Sequence, residues 1–171
     1  TLSPSSAASD VYKRQDYGRC LDDRKSVSGN LFTLGSAAIT WSSKKQPTAA
    51  LSTSEAEYVA AASSTCQALW LRKILADLHQ EQKGATKIFC DNLSAIAMAK
   101  NPVCHGRSKH IDIRHHFIRE LVAEGLIELK SCSTEEQVAD ILTKALPPAK
   151  HNYFMLRLGI CDFESRGSVE N

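Results

Sequence analysis

Two neighbouring runs decide the fold: STSEAEYVAAASSTCQALWLRKILADL (52–78) and TKIFCDNLSAIAMAK (86–100). In the first, Ser52 is followed three residues later by Glu55, the pattern of a capping box at a helix start. Good helix formers follow, with neither Gly nor Pro until Gly84. Tyr58, Val59, Ala62, Cys66, Leu69, Trp70, Ile74 and Leu78 return at steps of three and four. That spacing predicts a long amphipathic helix with one wide buried stripe. Gly84 ends it. Thr86–Cys90 then reads as a short strand that stops at Asp91. Asn92–Lys100 reads as a helix of small residues, closed by Pro102.

The pattern extends in both directions. Between Asn30 and Trp41 the sequence predicts two strands joined near Gly35-Ser36, with Gly29 as a turn before the first. Residues 43–47 read as a polar connection carrying Lys44 and Lys45. Beyond Pro102 a loop leads to a helix over about 112–124, with Ile113, Phe117, Leu121 and Val122 on its apolar side. Gly125 stops that helix, and residues 126–130 alternate like a strand. Thr134–Gln137 carries a second capping signature, which predicts a fourth helix with Val138, Ile141, Leu142 and Ala145 inward. After Pro147 and Pro148, a last helix over about 149–158 brings Tyr153, Phe154, Leu156 and Leu158. A strand before residue 28 would complete five. The expectation is an α/β (α+β) fold: a mixed β-sheet with helices packed on it.

Composition sets the bounds. The chain has 171 residues, 43% hydrophobic and 23% charged, which suits one domain that buries about 70% of its unfolded surface. The formal net charge of +2 excludes a histone-like or tail-like polyanion binder, but not an enzyme with a local basic patch. Six cysteines, at 20, 66, 90, 104, 132 and 161, form no CxxC pair and no disulfide framework. They read as reduced thiols of an intracellular protein. The longest nearly apolar run, 58–62, is too short to cross a bilayer. The chain starts at Thr1 rather than Met, as a piece of something longer would.

Three acids stand out. Asp91 ends a strand and precedes a helix, the place where open α/β sheets gather ligand chemistry; it could equally cap that helix. Glu57 lies between Ala56 and Tyr58 in the first turns of the long helix. Asp140 lies between Ala139 and Ile141, near a buried side. Carboxylates at a core margin are costly unless they are paired or bind a cation. Residues 100–119 hold Lys100, Arg107, Lys109, Arg114 and Arg119 against Asp112 alone, with four of the six histidines. Such a field suits a phosphate backbone, with Arg107, Lys109 and His110 on the loop; a solvated helix face is the alternative.

The runs LDDRKSVSGNLFTLG (21–35), ITWSSKKQPTAALSTSEAEYVAAA (39–62), LWLRKIL (69–75), CDNLSAIAMAKNPVCHGRSKHIDIRHHFIRE (90–120) and STEEQVADILTKALP (133–147) carry a family resemblance. The chain resembles the ribonuclease H domain of Ty1/copia-type retrotransposon Pol polyproteins, from about residue 16 to 160. The resemblance implies a ribonuclease H-like domain over 16–160, an atypical front at 1–15 and a flexible tail at 161–171. It implies cleavage of the RNA strand of RNA–DNA hybrids, by four carboxylates and two Mg2+ ions, with Mn2+ as the substitute. By position, Glu57 corresponds to the acid on the central helix, Asp91 to the acid ending the fourth strand, and Asp140 to the late acid. Lys44, Lys45, Asn92, Arg107, Lys109, His110 and Arg114 are the expected nucleic-acid contacts. The partners implied are the hybrid and an upstream reverse transcriptase domain, in a cytoplasmic virus-like particle.

The front departs from the family. Members begin with Asp-Ala-Asp-aromatic-Ala-Gly-Cys; here residues 14–20 read RQDYGRC. Anchored at Cys20, the first catalytic Asp falls on Arg14, and Asp16 matches the second. A guanidinium ligates no cation and repels one. Asp16 is two positions away, about 6.6 Å along a strand, and would substitute only if the backbone shifted. The expectation is a chain that keeps the fold with impaired catalysis. The competing readings are a non-catalytic nucleic-acid-binding remnant and a DNA-cutting nuclease of similar fold.

Overall fold

Leu31 and Phe32 are neighbours in sequence, and both are buried, yet they enter different cores. Alternation along a strand sends successive side chains to opposite faces, and here both faces are covered. The computed structural model describes residues 11–16, 25–100 and 109–160, of which 11–16 and 109–115 by backbone alone. Five strands, β1 (Val11–Asp16), β2 (Val27–Leu34), β3 (Ala37–Lys45), β4 (Thr86–Cys90) and β5 (Ile127–Ser131), form one sheet in the order β3-β2-β1-β4-β5. Pairing is antiparallel from β3 through β1 and parallel from β1 through β5. Among the described residues four helices accompany it: α1 (Thr53–Asp77), α2 (Leu93–Lys100), α3 (Lys109–Ala123) and α4 (Pro148–Arg157). The mixed α/β architecture expected from the sequence is the one observed.

On one face Phe32, Tyr58, Ile88, Ile118, Ile127 and Leu129 form the larger core beneath α1, α2 and α3. On the other, Leu31, Val138 and Phe154 form a smaller core beneath α4 and a short 3-10 segment, Val138–Leu142. The β2–β3 hairpin closes through Gly35-Ser36, with Gly35 at φ 63° supplying the left-handed conformation that a tight hairpin needs. Pairing runs Phe32 with Thr40 and then Thr33 with Ala38, so Ile39 is the extra residue of a bulge.

Several local expectations are corrected. Gly29 is not a turn but an interior residue of β2, because the 3-10 segment lies directly on it. A Cβ there would meet Thr143 Cγ2 at 2.6 Å and Ala139 O at 3.1 Å. Lys44 and Lys45 belong to β3 rather than to a connection. The helix expected from Thr134 does not form. Ser133 O accepts from Glu136 N and Ser133 Oγ bonds Glu136 Oε2, so the capping signature closes a turn. Gln137 is then non-helical (ψ 89°), and only the 3-10 segment follows. The helix expected from about 112 starts three residues earlier, so Lys109 and His110 open α3 instead of lying on a loop.

The stripe on α1 also differs. Residues 56–62 are buried without interruption, because the alanines let the sheet approach on one side and neighbouring helices on the other. Further along, Trp70 and Leu78 are exposed, as is Cys66. In α4 only Phe154 is buried, and Tyr153 and Leu156 face solvent. Residues 11–15 of the atypical front contribute to β1, between β2 and β4; the other residues of that segment, Arg107 and the tail 161–171 lie outside the described residues.

Candidate active site

Glu57 is carried by the first turns of α1, and several bonds fix where α1 begins. Ser52 Oγ accepts from Glu55 N at 3.1 Å, and Glu55 Oε2 accepts from Leu51 N at 3.0 Å, a local variant of the capping box. Gln46, at the end of β3, donates from Nε2 to Ala56 O at 2.9 Å and to Ser28 Oγ at 2.8 Å. The helix start is therefore tied to the sheet one residue before Glu57. Glu57 itself is 3% exposed, between Ala56 and Tyr58.

Asp91 follows the last residue of β4. The capping role left open for it falls to Asn92, whose Oδ1 accepts from Ala95 N at 3.0 Å. Asn92, expected to touch nucleic acid, thus commits its side-chain oxygen to α2. Cys90 is buried, and its Sγ donates weakly to Asn92 O at 3.7 Å. One carboxylate oxygen each of Glu57 and Asp91, together with Cys90 Sγ, lie within 4.8 Å of one another. The end of the central helix's partner strand and the start of that helix therefore converge. Two carboxylates at this spacing suit a hard divalent cation such as Mg2+ or Mn2+, and a cation would offset their mutual repulsion. The thiol is a soft donor and was absent from the sequence expectation. Its signal was plain in hindsight, since Cys90 immediately precedes Asp91.

Asp140 is fully buried on the 3-10 segment but is not one of the three groups gathered within that distance. Lys144 Nζ stands 3.1 Å from its Oδ2, and Lys150 Nζ stands 4.0 Å away. Lys150 is itself held by Glu135 Oε2 at 3.2 Å and Thr134 O at 3.1 Å. These ammonium groups compensate a charge that burial alone would penalise. The i,i+4 spacing of Asp140 and Lys144 made that pair readable in the sequence.

The backbone of β1 runs between these acids. Lys13 pairs with Cys90 on one side, and Arg14 pairs with Gly29 on the other. Arg14 is therefore one step beyond the Lys13–Cys90 pair, in the direction in which β4 continues to Asp91. Gly29 is the residue on which the Asp140-bearing segment rests. Asp16 is two residues further, opposite Val27.

The electrostatic field of the site registers on Cys132, which follows β5 and donates its backbone N–H to Cys90 O at 3.1 Å. Burial, reinforced by the neighbouring Asp91, Cys90, Glu136 and Asp140, pushes its thiol up to about 12. Beyond the acids, a cleft of about 510 Å³ opens between the end of β3, α1 and α3. Lys44, Lys45, Gln46, Val59, Cys66 and Phe117 are among its lining residues. Val59 sits two residues after Glu57, so the two expected lysine contacts flank the same helix. Lys109, His110 and Arg114 lie on α3, whose Phe117 closes the cleft from the other side.

No protein-family model matches the chain. The retrovirus-related Pol polyprotein from transposon TNT 1-94 of Nicotiana tabacum is 44% identical over 139 residues, 81% of this chain and 10% of that protein. The corresponding polyprotein from transposon RE1 of Arabidopsis thaliana is 37% identical over 150 residues, 88% of this chain and 10% of that protein. The chain thus spans about a tenth of the length of the curated relatives it matches. Among solved structures, the N-terminal RNase H domain of a Mycobacterium tuberculosis protein, fused to maltose binding protein, superposes with a TM-score of 0.54 at 13% identity, covering 86% of this chain and 96% of that one. Prototype foamy virus protease-reverse transcriptase gives 0.55 at 13%, covering 94% of this chain and 21% of that one. The chain is thus similar in sequence to one stretch of retrotransposon Pol polyproteins, and its architecture is ribonuclease H-like.

Proposed function

We propose that this domain belongs to the reverse-transcription machinery of a Ty1/copia-type element and hydrolyses the RNA strand of RNA–DNA hybrids, with catalysis impaired by Arg14. The observation that carries the reading is the convergence of Glu57 and Asp91 beneath the position where β1 passes. Glu57, Asp91 and Asp140 are the proposed carboxylates, with Asp16 as the substitute for the missing fourth. Two Mg2+ ions, or Mn2+, held by these acids would supply a nucleophilic water and stabilise the departing 3′ oxygen. The chain's own contribution is to hold carboxylates on rigid elements. Lys44 and Lys45 at the cleft, with Arg107, Lys109, His110 and Arg114, would meet phosphates of a hybrid recognised by shape and 2′-hydroxyls. An upstream reverse transcriptase domain would present that hybrid, in a cytoplasmic virus-like particle.

The second reading is a nucleic-acid-binding remnant without cleavage. It is favoured by the register that brings the backbone of Arg14 level with Asp91, since an arginine can ligate no cation. One experiment separates the two. A labelled hybrid is incubated with the chain and with Arg14→Asp, in Mg2+ and in Mn2+. Restoring a direct ligand should raise the cleavage rate at least about tenfold, as even indirect ligand support is worth that much. Equal rates for the two proteins would refute the impairment. Hybrid binding that persists in EDTA, with no cleavage by either protein, would establish the remnant.

A further inference from the structure

Cys90 is the unusual member of the cluster. A hard divalent ion gains little from a thiol, whereas Zn2+ and Cd2+ bind thiolates strongly. Cys90 is buried at the end of β4, and its backbone is fixed on both sides, by pairing with Lys13 and with Ser131. Its Sγ, a Glu57 oxygen and an Asp91 oxygen are mutually within 4.8 Å. A tetrahedral zinc ion with Zn–S of about 2.3 Å and Zn–O of about 2.1 Å holds its donors about 3.4–3.6 Å apart. Side-chain rotations that close these separations by up to about 1.4 Å bring all three onto one ion.

We propose that Cys90 turns the Glu57–Asp91 centre into a selective trap for thiophilic divalent ions, which compete with the hard ion for the same carboxylates. The proposal rests on the reading of Glu57 and Asp91 as ion ligands, but not on hybrid cleavage. On binding, the Cys90 thiol gives up its proton to solvent, and its weak donation to Asn92 O is replaced by a metal–sulfur bond. A Pol domain with this centre would be silenced by Zn2+ at concentrations far below those of Mg2+. Metal availability would then act on the domain without any other regulatory element.

The test is a Cd2+ titration of the full chain, followed by ultraviolet sulfur-to-cadmium charge-transfer absorption and by calorimetry. The expected result is one Cd2+ bound with a thiolate band, retained when Mg2+ is in large excess. Cys90→Ala should remove that band and weaken Cd2+ binding at least about tenfold, since a direct ligand is worth no less than its outer-shell support. Cys132→Ala and Cys66→Ala should keep the band. Glu57→Gln leaves the thiol in place and should also weaken Cd2+ binding, which guards against a folding defect of the Cys90 variant. A band that survives Cys90→Ala undiminished, the absence of any band, or a Cd2+ affinity unchanged by Glu57→Gln would each overturn the proposal. Failure to cleave a hybrid in Mg2+ or Mn2+ bears on the nuclease reading and leaves this result unaffected.

Discussion

Replacing Gly29 by Ala tests the joint between the sheet and the segment that carries Asp140. A Cβ at this position would lie 2.6 Å from Thr143 Cγ2, 3.1 Å from Ala139 O and 3.2 Å from Leu142 Cβ. Thr143 could rotate away, but its Oγ1 would then leave Asp140 O, with which it bonds at 3.3 Å. The Ala139 carbonyl is backbone and yields only if the whole 3-10 segment shifts. Overpacking of this kind costs about 1–3 kcal/mol. Ala also restricts the unfolded chain, which returns about 0.4–1 kcal/mol. The net expectation is a loss of about 1–2 kcal/mol, taking the midpoints of these ranges. For a domain of this size that lowers Tm by about 2–8 °C. Urea unfolding followed by circular dichroism reads the free energy directly. Thr143→Ser removes Cγ2 and keeps the hydroxyl, so in the Gly29→Ala background it should recover at least about 0.5 kcal/mol relative to its effect in the parent. The reasoning fails if Gly29→Ala is as stable as the parent, or if Thr143→Ser has the same effect in both backgrounds.

Arg72 donates to Gly84 O at 2.6 Å, Gln82 O at 2.7 Å and Thr86 Oγ1 at 3.1 Å, holding the connection from α1 to β4. Arg72→Ala should cost about 1–3 kcal/mol by urea unfolding, and Arg72→Lys should recover less than half, because one ammonium cannot span those acceptors. The Cys132 thiol, pushed up to about 12, should resist alkylation at pH 8 while exposed Cys66 reacts readily. Peptide mapping by mass spectrometry reads both, and comparable labelling would contradict the field described at the site. The sign is that of an acid raised on folding: protonated Cys132 favours the folded chain below its unfolded pKa, and that support fades as pH climbs toward 12. Lys44→Ala should weaken hybrid binding and reduce the slope of log affinity against log salt by about 0.7–0.9, the share of one phosphate contact. An unchanged slope would remove the cleft from the binding surface.

The features legible in the sequence were those set by local chemistry. Ser52 and Glu55 announced the start of α1, Gly35-Ser36 announced the hairpin, and the change from Cys90 to Asp91 marked a strand end against a helix. The features that were not legible depend on what a residue meets in space. Gly29 looks like a turn until Ala139 and Thr143 are placed on it. Ser133 and Glu136 make the hydrogen bond of a capping signature in a turn that no helix follows. The stripe through Trp70 and Leu78 has helical spacing, but both side chains are exposed among the described residues. At the site, periodicity raised Glu57 and Asp91 for their positions, and the fold brings them together. Cys90 was passed over because a buried cysteine beside a core strand looks like packing. The i,i+4 spacing marks Lys144 beside Asp140, whereas Lys150 is ten residues away and reaches it only through the fold.

The earliest strand among the described residues is the middle strand of the sheet. Val11 pairs with Phe32 on one side and with Ile88 on the other. Without β1, the hairpin β2–β3 and the parallel pair β4–β5 share no backbone bond, and β2 and β4 would each expose a bare row of amides and carbonyls. Such rows are templates for pairing with other chains. A version of the domain beginning after Asp16 should therefore self-associate rather than merely lose stability. The same arrangement sets the order of assembly. Residues 11–13 must wait until the β4 residues 88–90 are in reach, a long-range closure that slows folding. Residues 11–16 are thus the keystone of the sheet, and substitutions that disturb their pairing act on solubility.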